Sequence, residues 1–158
     1  MRTTTWNSIG TDVKTTNIQT ALEKAKLNYE VITQPIYTEV GDNKILVPGK
    51  VCTMRKDTNE VLGVVSPKYQ VCQNEEAFDF VNNVDNVEFV KAGQTKNGLV
   101  YVIGKLPEMT VLGDTFTPYL IFQNGHNGMY TVKTTICPLR IVCQNQFNYA
   151  FRESPNTI

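Results

Sequence analysis

Lys50-Val-Cys-Thr-Met-Arg-Lys-Asp-Thr-Asn-Glu-Val-Leu-Gly-Val-Val65 is the stretch that decides the fold. Strand-forming residues are common in 50–56 and 61–65, and the four residues between them are typical of a turn. Two such runs joined by a short polar turn predict an antiparallel β-hairpin. We therefore expect a sheet built from hairpins and not from parallel strands linked by helices.

The same hairpin pattern recurs further along the chain. Residues 86–93 and 99–106 flank a turn at 94–98, and residues 119–124 and 129–136 flank the tight turn Gly125-His-Asn-Gly128. Upstream of the first hairpin, residues 29–40 alternate like a strand, and Pro35 favours an edge or a bulge.

Helical spacing of apolar residues is clearest in 17–26. A second helix is predicted over 73–81, with Asn74 as its N-cap, and a third from about 144 to 152. Together the elements predict an α+β fold: a curved antiparallel β-sheet of hairpins in a meander, with two to three helices packed on one side.

We expect residues 1–16 to form an N-terminal arm and residues 17–158 to form a single α+β domain. A chain of 158 residues is long enough for one core. Because its last residues resemble the approach to another strand, we also expect either that the domain is truncated at the C-terminus or that it is a natural short version of a longer protein.

Composition narrows the class of protein. Lys plus Arg equals Asp plus Glu at 15 each, so there is no overall positive field to attract nucleic acid. The four cysteines, at 52, 72, 137 and 143, are interpreted as small core residues of a protein in a reducing cytoplasm. The N-terminus has no secretory pattern, and no run is long enough for a membrane helix. A zinc site made of Cys137, Cys143 and His126 matches no standard spacing, so no metal or cofactor is predicted.

Several stretches together carry a resemblance to a known family. They are Trp6 with Ile9-Gly-Thr-Asp-Val13, Leu27-Asn-Tyr-Glu-Val31, Arg55 to Tyr69, Gln73-Asn-Glu-Glu-Ala-Phe78, Ala92-Gly93, Gly113-Asp114, Asn124 to Gly128 and Pro138 to Asn145. The chain resembles, in its N-terminal part, the phage/plasmid-like proteins grouped as domain of unknown function 932. The resemblance implies a protein of a phage or other mobile element that acts in the host cell cytoplasm. The family has no established activity, so no catalytic residues are implied.

A more distant likeness is architectural. A short helix, the step Leu27-Asn28-Tyr29 into an antiparallel meander and a closing helix near Gln144 resemble single-strand annealing proteins of phages and eukaryotes. This likeness concerns the fold and implies annealing of single-stranded DNA only by analogy.

No catalytic motif stands out, and we predict a protein that is not an enzyme. His126, the only histidine, lies in a turn and is expected to face solvent. Asp114 with Glu108 and Lys105 is the one loose candidate for a metal-dependent nuclease.

Basic residues interleaved with tyrosines favour a nucleic-acid surface more than any enzyme. Cationic side chains that follow phosphates, and aromatic rings that stack on bases, are how grooves for single strands are built. The predicted nucleic-acid-binding residues are Arg55, Lys56, Lys68, Tyr69, Lys91, Lys96, Tyr101, Lys133 and Arg140. The alternative for each is an ordinary solvated sheet face, and for Arg140 a structural ion pair.

Two functions follow from these observations. The first is non-catalytic binding of single-stranded DNA, including annealing in recombination or replication, by a homo-oligomer. The second is a protein-binding accessory or anti-defence factor that binds a host or phage protein through an exposed strand edge or an apolar patch. A continuous basic groove with exposed tyrosines would favour DNA. Scattered charges beside an apolar patch would favour a protein partner.

Overall fold

The computed structural model describes residues 9–137, and most of its regular structure is antiparallel strand. The elements are β1 (Thr11–Thr15), α1 (Ile18–Lys24), β2 (Val31–Val40), β3 (Asn43–Arg55), β4 (Val61–Val65), α2 (Asn74–Asp79), a 3-10 helix (Phe80–Asn83), β5 (Glu88–Gln94), β6 (Leu99–Lys105), β7 (Met109–Val111), β8 (Asp114–Phe116), β9 (Tyr119–Gly125) and β10 (Lys133–Cys137). The prediction of an antiparallel α+β fold made of hairpins is confirmed at this level.

The strands form three sheets instead of the one curved sheet that the sequence suggested. A five-stranded sheet has the order β1-β5-β6-β9-β10, a three-stranded sheet the order β2-β3-β4, and β7 and β8 form a two-stranded hairpin. The predicted third helix, at 144–152, lies outside the described residues. None of the helices within residues 9–137 is long and apolar enough to cross a membrane.

The end of the predicted N-terminal arm belongs to the five-stranded sheet. β1 pairs antiparallel with β5, with Thr11 opposite Ala92. Ile9 and Val13 are both buried, and their burial is the physical reason why this segment lies on the body of the protein. Of the predicted arm at 1–16, at least residues 11–15 are therefore a strand of the domain.

The main core lies between the five-stranded sheet and the two helices. Ile18 and Leu22 of α1 and Phe78 of α2 are fully buried there against Phe122 of β9. The central strands β6 and β9 are buried along nearly their whole length, which is why their sequences are apolar at consecutive positions. On the opposite face of these strands, a smaller cluster contains Tyr101, Ile103 and Ile121.

The start of α2 differs from the prediction that Asn74 is the N-cap. The helix is preceded by Gln73, whose backbone N–H donates to the Glu76 carboxylate at 3.2 Å. The Asn74 side chain turns inward instead and is fully buried. The Asn74 side chain forms hydrogen bonds with groups from other parts of the chain. It therefore stabilises the tertiary structure and does not cap the helix.

Candidate interaction surface

A buried polar cluster joins the three-stranded sheet to the rest of the protein. Asn74 donates from Nδ2 to the Leu27 carbonyl at 2.8 Å, and its Oδ1 accepts from Asn124 Nδ2 at 3.0 Å. His126 Nε2 lies 2.9 Å from the same Oδ1. Because Asn74 Nδ2 is already a donor to Leu27, Oδ1 must be the acceptor, and His126 must carry its proton on Nε2.

His126 is therefore a buried neutral imidazole, and the prediction that it faces solvent is wrong. The side chain is almost fully buried, and Nδ1 has no hydrogen-bond partner among the described residues. Burial lowers the pKa of His126 to about 4, because a charged ring would lose its hydration there. No group of three or more His, Cys, Asp or Glu within residues 9–137 could hold a metal ion.

The turn that carries His126 supports one face of the three-stranded sheet, which we call the inner face. The Thr53 hydroxyl of β3 donates to the His126 carbonyl at 2.5 Å. At Gly63 of β4, a Cβ would lie only 2.6 Å from the Asn127 Cα, so only glycine allows this approach. Tight contact at both strands fixes the orientation of the sheet on the body.

The opposite face of this sheet, the outer face, is apolar and open. Side chains alternate between faces along a strand, so Cys52 and Met54, on either side of Thr53, and Val64, which follows Gly63, point outward. Leu62 lies at an irregularity of the register and packs against the main core instead. In the observed register Ile32 pairs with Met54, Met54 with Val61, and Cys52 with Val64. Val61 and Val64 are 55% and 57% exposed.

The β2–β3 hairpin extends the apolar surface beyond the body of the protein. Its end, which we call the distal hairpin, comprises residues 37–46, and all ten of them are exposed. Tyr37 lies opposite Leu46 on one face, and Ile45 lies opposite Thr38 on the other, the face that Val40 shares. Large apolar side chains thus meet solvent on both faces of a two-stranded ribbon.

An irregularity divides the hairpin at the proline predicted to mark an edge or bulge. Pro35 pairs with Val51 and Tyr37 pairs with Leu46, so β3 contributes more residues than β2 at this point. Gly49, in the excess segment, has a φ of 70°, which favours glycine. The bulge marks where the ribbon leaves the sheet.

Three of the predicted nucleic-acid-binding residues are paired with acids. Arg55 binds Asp57 through two nitrogens at 2.7 and 3.0 Å. Its guanidinium also stacks over the Tyr29 ring at 4.1 Å. Lys56 lies 2.7 Å from Glu30, and Lys91 lies 3.0 Å from Asp12. These side chains fit the alternative interpretation of a sheet with structural ion pairs.

The two predicted tyrosines are not free platforms for bases. Tyr101 is 4% exposed, and burial raises the pKa of its hydroxyl to about 12. Tyr69 is half-buried and donates its hydroxyl to the Gly125 carbonyl at 3.2 Å. The ring of Tyr101 therefore cannot stack on a base in this conformation.

Three of the remaining predicted cations are not neutralised. Within residues 9–137, Lys68, Lys96 and Lys133 form no ion pair, and the first two are exposed. Arg140 lies outside the described residues. The described residues include 12 basic and 14 acidic side chains, so this part of the chain is slightly acidic.

The distal hairpin was not among the predicted site residues. Its strand character was predicted, but the exposure of Tyr37, Val40, Ile45 and Leu46 depends on how far the hairpin extends past its neighbours. The sequence did contain a signal for this exposure. Apolar residues occur at both odd and even positions of the segment, so an extended strand presents them on both of its faces.

Comparison with protein-family models identifies the family of this chain. The family model described as Domain of unknown function (DUF932) matches residues 61–158, which is more than half of the chain. The chain belongs to this family. The description of the family names no activity, so the family assigns no catalytic role to this chain.

The family match begins at Val61, although the quoted motifs started at Trp6. It therefore covers the C-terminal part of the chain and not the N-terminal part, and β2, β3 and the distal hairpin lie before it. Neither the curated proteins nor the solved structures contain a match to this chain.

Proposed function

We propose that this protein is a non-catalytic protein-binding domain of a phage or other mobile element that acts in the host cytoplasm. Its interface is the outer face of the three-stranded sheet together with the distal hairpin. One observation carries the proposal: the exposed apolar residues of this sheet, at 37, 40, 45, 46, 61 and 64, lie on adjoining strands.

Single exposed apolar residues are normal, but six large ones on one small sheet, two on the outer face and four on the distal hairpin, are unusual for a protein that stays alone in water. Full burial of a Val, Leu or Ile side chain contributes about 1.5–3 kcal/mol, so covering six half-exposed ones gives on the order of 5 kcal/mol. This gain is enough to offset a good part of the cost of association, about 4–15 kcal/mol.

Site-specific photo-cross-linking in bacterial cells tests the proposal. A photoreactive amino acid at Val64 is expected to give a defined covalent product with a protein partner. The matched control is Val111, which is also a strand valine, 50% exposed, but lies on the separate β7–β8 hairpin. Equal cross-linking from both positions, or none from Val64, would contradict the proposal.

Binding of single-stranded DNA, including annealing in recombination or replication, remains the second candidate. It is favoured by the position of Lys68 and Lys96, since the turns that carry them both contact the segment 125–127. Asn127 donates to the Asn97 carbonyl, next to Lys96, at 2.8 Å. Tyr69, next to Lys68, bonds to Gly125 of the same turn region.

Fluorescence anisotropy with a labelled oligonucleotide at several salt concentrations tests this second candidate. Three lysine–phosphate contacts on a single strand predict a slope of log K against log salt of about −2. Combined substitution of Lys68, Lys96 and Lys133 by Gln is expected to abolish that dependence. Lys56→Gln, whose lysine is paired with Glu30, is the control that should change little. Absence of binding at low salt by the folded protein would exclude the candidate.

A further inference from the structure

The geometry of β2 points to a second copy of this chain as the partner of the distal hairpin. We infer that two copies pair their β2 edges antiparallel about a twofold axis at Thr38, which joins the two three-stranded sheets into one. This inference rests on the proposed protein-binding function and names its partner.

Among the described residues 9–137, no strand lies beside β2, because the order of the sheet is β2-β3-β4. At the start of this edge strand, both backbone groups of Val31 bond to the Gln73 side chain, the N–H at 2.9 Å and the carbonyl at 2.8 Å. Val31 therefore points its backbone away from β3. In an antiparallel pair such residues alternate, so Thr33 and Pro35 point the same way. Beyond the bulge, a two-residue turn makes Val40 and Asn43 the closing, hydrogen-bonded pair, so Glu39 and Tyr37 again point away from β3.

Pro35 fits this assignment because it has no N–H to donate, and proline in a sheet occupies positions that face the open edge. Beyond Pro35, the free groups are the N–H and carbonyl of Tyr37 and of Glu39. This short segment is the part of the edge that can accept a full strand.

The distal hairpin needs a further strand for stability. A two-stranded ribbon with water on both faces is at best marginally stable, and three or more strands are needed for an independent sheet. The distal hairpin is such a ribbon, since residues 37–46 are all exposed. Pairing with a second copy makes the distal hairpin part of a four-stranded sheet.

One register suits a second copy. With Thr38 opposite Thr38 of the partner subunit, Tyr37 and Glu39 form hydrogen-bonded pairs with Glu39 and Tyr37 of the partner subunit. On the outer face, Val40 meets Ile36 of the partner subunit, so an apolar pair forms twice. Moving the twofold axis by one residue, so that Glu39 faces its own copy, places like charges opposite each other, which is unfavourable.

Charge also favours the same chain over a polyanion or an acidic surface. The charged residues of the segment 31–50 are Glu39, Asp42, Lys44 and Lys50, two of each sign. A surface that pairs with itself through a twofold axis must be complementary to itself, and a neutral apolar surface meets this condition.

Oxidative cross-linking of a Thr38→Cys variant tests the register. Thr38 and its copy would form a non-hydrogen-bonded pair with Cα atoms about 4.5 Å apart, within the range of a disulfide. We expect a covalent dimer under mild oxidation. Thr110→Cys, an exposed strand threonine on β7, and the unsubstituted chain with its four cysteines are the controls and should remain monomeric in the denaturing gel.

Light scattering coupled to size exclusion tests the association itself. The unmodified protein should elute with twice its chain mass of 17.8 kDa. Tyr37→Pro removes one outward N–H and should weaken the dimer at least about tenfold, whereas Tyr37→Ala keeps that N–H and should weaken it much less.

The outcomes separate the two proposals. A monomer at every concentration, or a disulfide that forms as readily at Thr110 as at Thr38, would overturn the inference. If that monomer still cross-links from Val64 to another protein, the protein-binding function stands and only the second copy is wrong. If the protein is monomeric and Val64 also gives no product beyond the Val111 control, the protein-binding function and the second copy are both wrong.

Discussion

Acidification from pH 7 to pH 5 should destabilise this protein through one side chain, His126. Its pKa is about 4 in the folded protein, against about 6.5 for an unperturbed histidine in an unfolded chain. The unfolded state therefore binds more protons between these two values. Stability is fully present above pH 6.5 and is lost as the pH falls towards 4.

The size of the effect follows from the two pKa values. Between pH 7 and pH 5, the linkage relation gives a loss of about 2 kcal/mol in the free energy of unfolding. For a urea slope of about 2 kcal/mol per molar, the transition midpoint should fall by about 1 M. The chain has one histidine, so no other side chain of that type contributes.

Urea unfolding followed by circular dichroism at pH 7, 6 and 5 measures this loss, and His126→Gln is the control. The variant should be less stable at pH 7, since it loses the contact with Asn74, but its stability should change little down to pH 5. An equal loss in the variant and the unmodified protein would refute the assignment of the pH dependence to His126.

Three further outcomes follow from the contacts. Asn74→Ala should cost about 3 kcal/mol, because it leaves the Leu27 carbonyl, His126 Nε2 and one Asn124 proton without that partner; urea unfolding checks it, and a cost near zero would argue against the buried cluster. Tyr101→Ala should lower the free energy of unfolding by about 3–5 kcal/mol, because this ring lies in the core. Tyr37→Ala should change it by less than about 0.5 kcal/mol, because that ring is exposed. Equal losses of stability in thermal unfolding would contradict this difference. Gln73→Ala should cost about 1–2 kcal/mol and speed amide hydrogen exchange at Val31, and an unchanged exchange rate would show that the side-chain bonds do not hold this strand.

Local patterns were enough to predict the hairpins. The turn at 57–60 and its flanking strands follow from residues close in sequence, and so does β5–β6. The pairing of β9 with β10 was also predicted, but not its connection, which comprises residues 126–132 instead of a tight turn at 125–128. The division into separate sheets was not predictable in this way. It depends on contacts such as Thr53 with the turn at His126, 73 residues away in sequence.

The environment of single side chains was harder to predict than the elements. His126 lies in a turn, and turns are usually exposed, but this turn is covered by the three-stranded sheet. Tyr101 lies on a strand that is buried along its length, so its position among basic residues in the sequence does not place it on the surface. The acid partners of Arg55, Lys56 and Lys91 come from three different turns or strands, and only Asp57 is near its partner in sequence.

The bonds between Gln73 and Val31 have a consequence for how this protein avoids aggregation. The Gln73 side chain presents an amide N–H and a carbonyl oxygen, the same groups that a neighbouring strand would present. The first backbone position of the open edge is therefore already hydrogen-bonded. Four residues later a proline interrupts the ladder again. An incoming chain meets an obstacle at both places and cannot pair along the whole strand, which disfavours edge-to-edge growth into fibres.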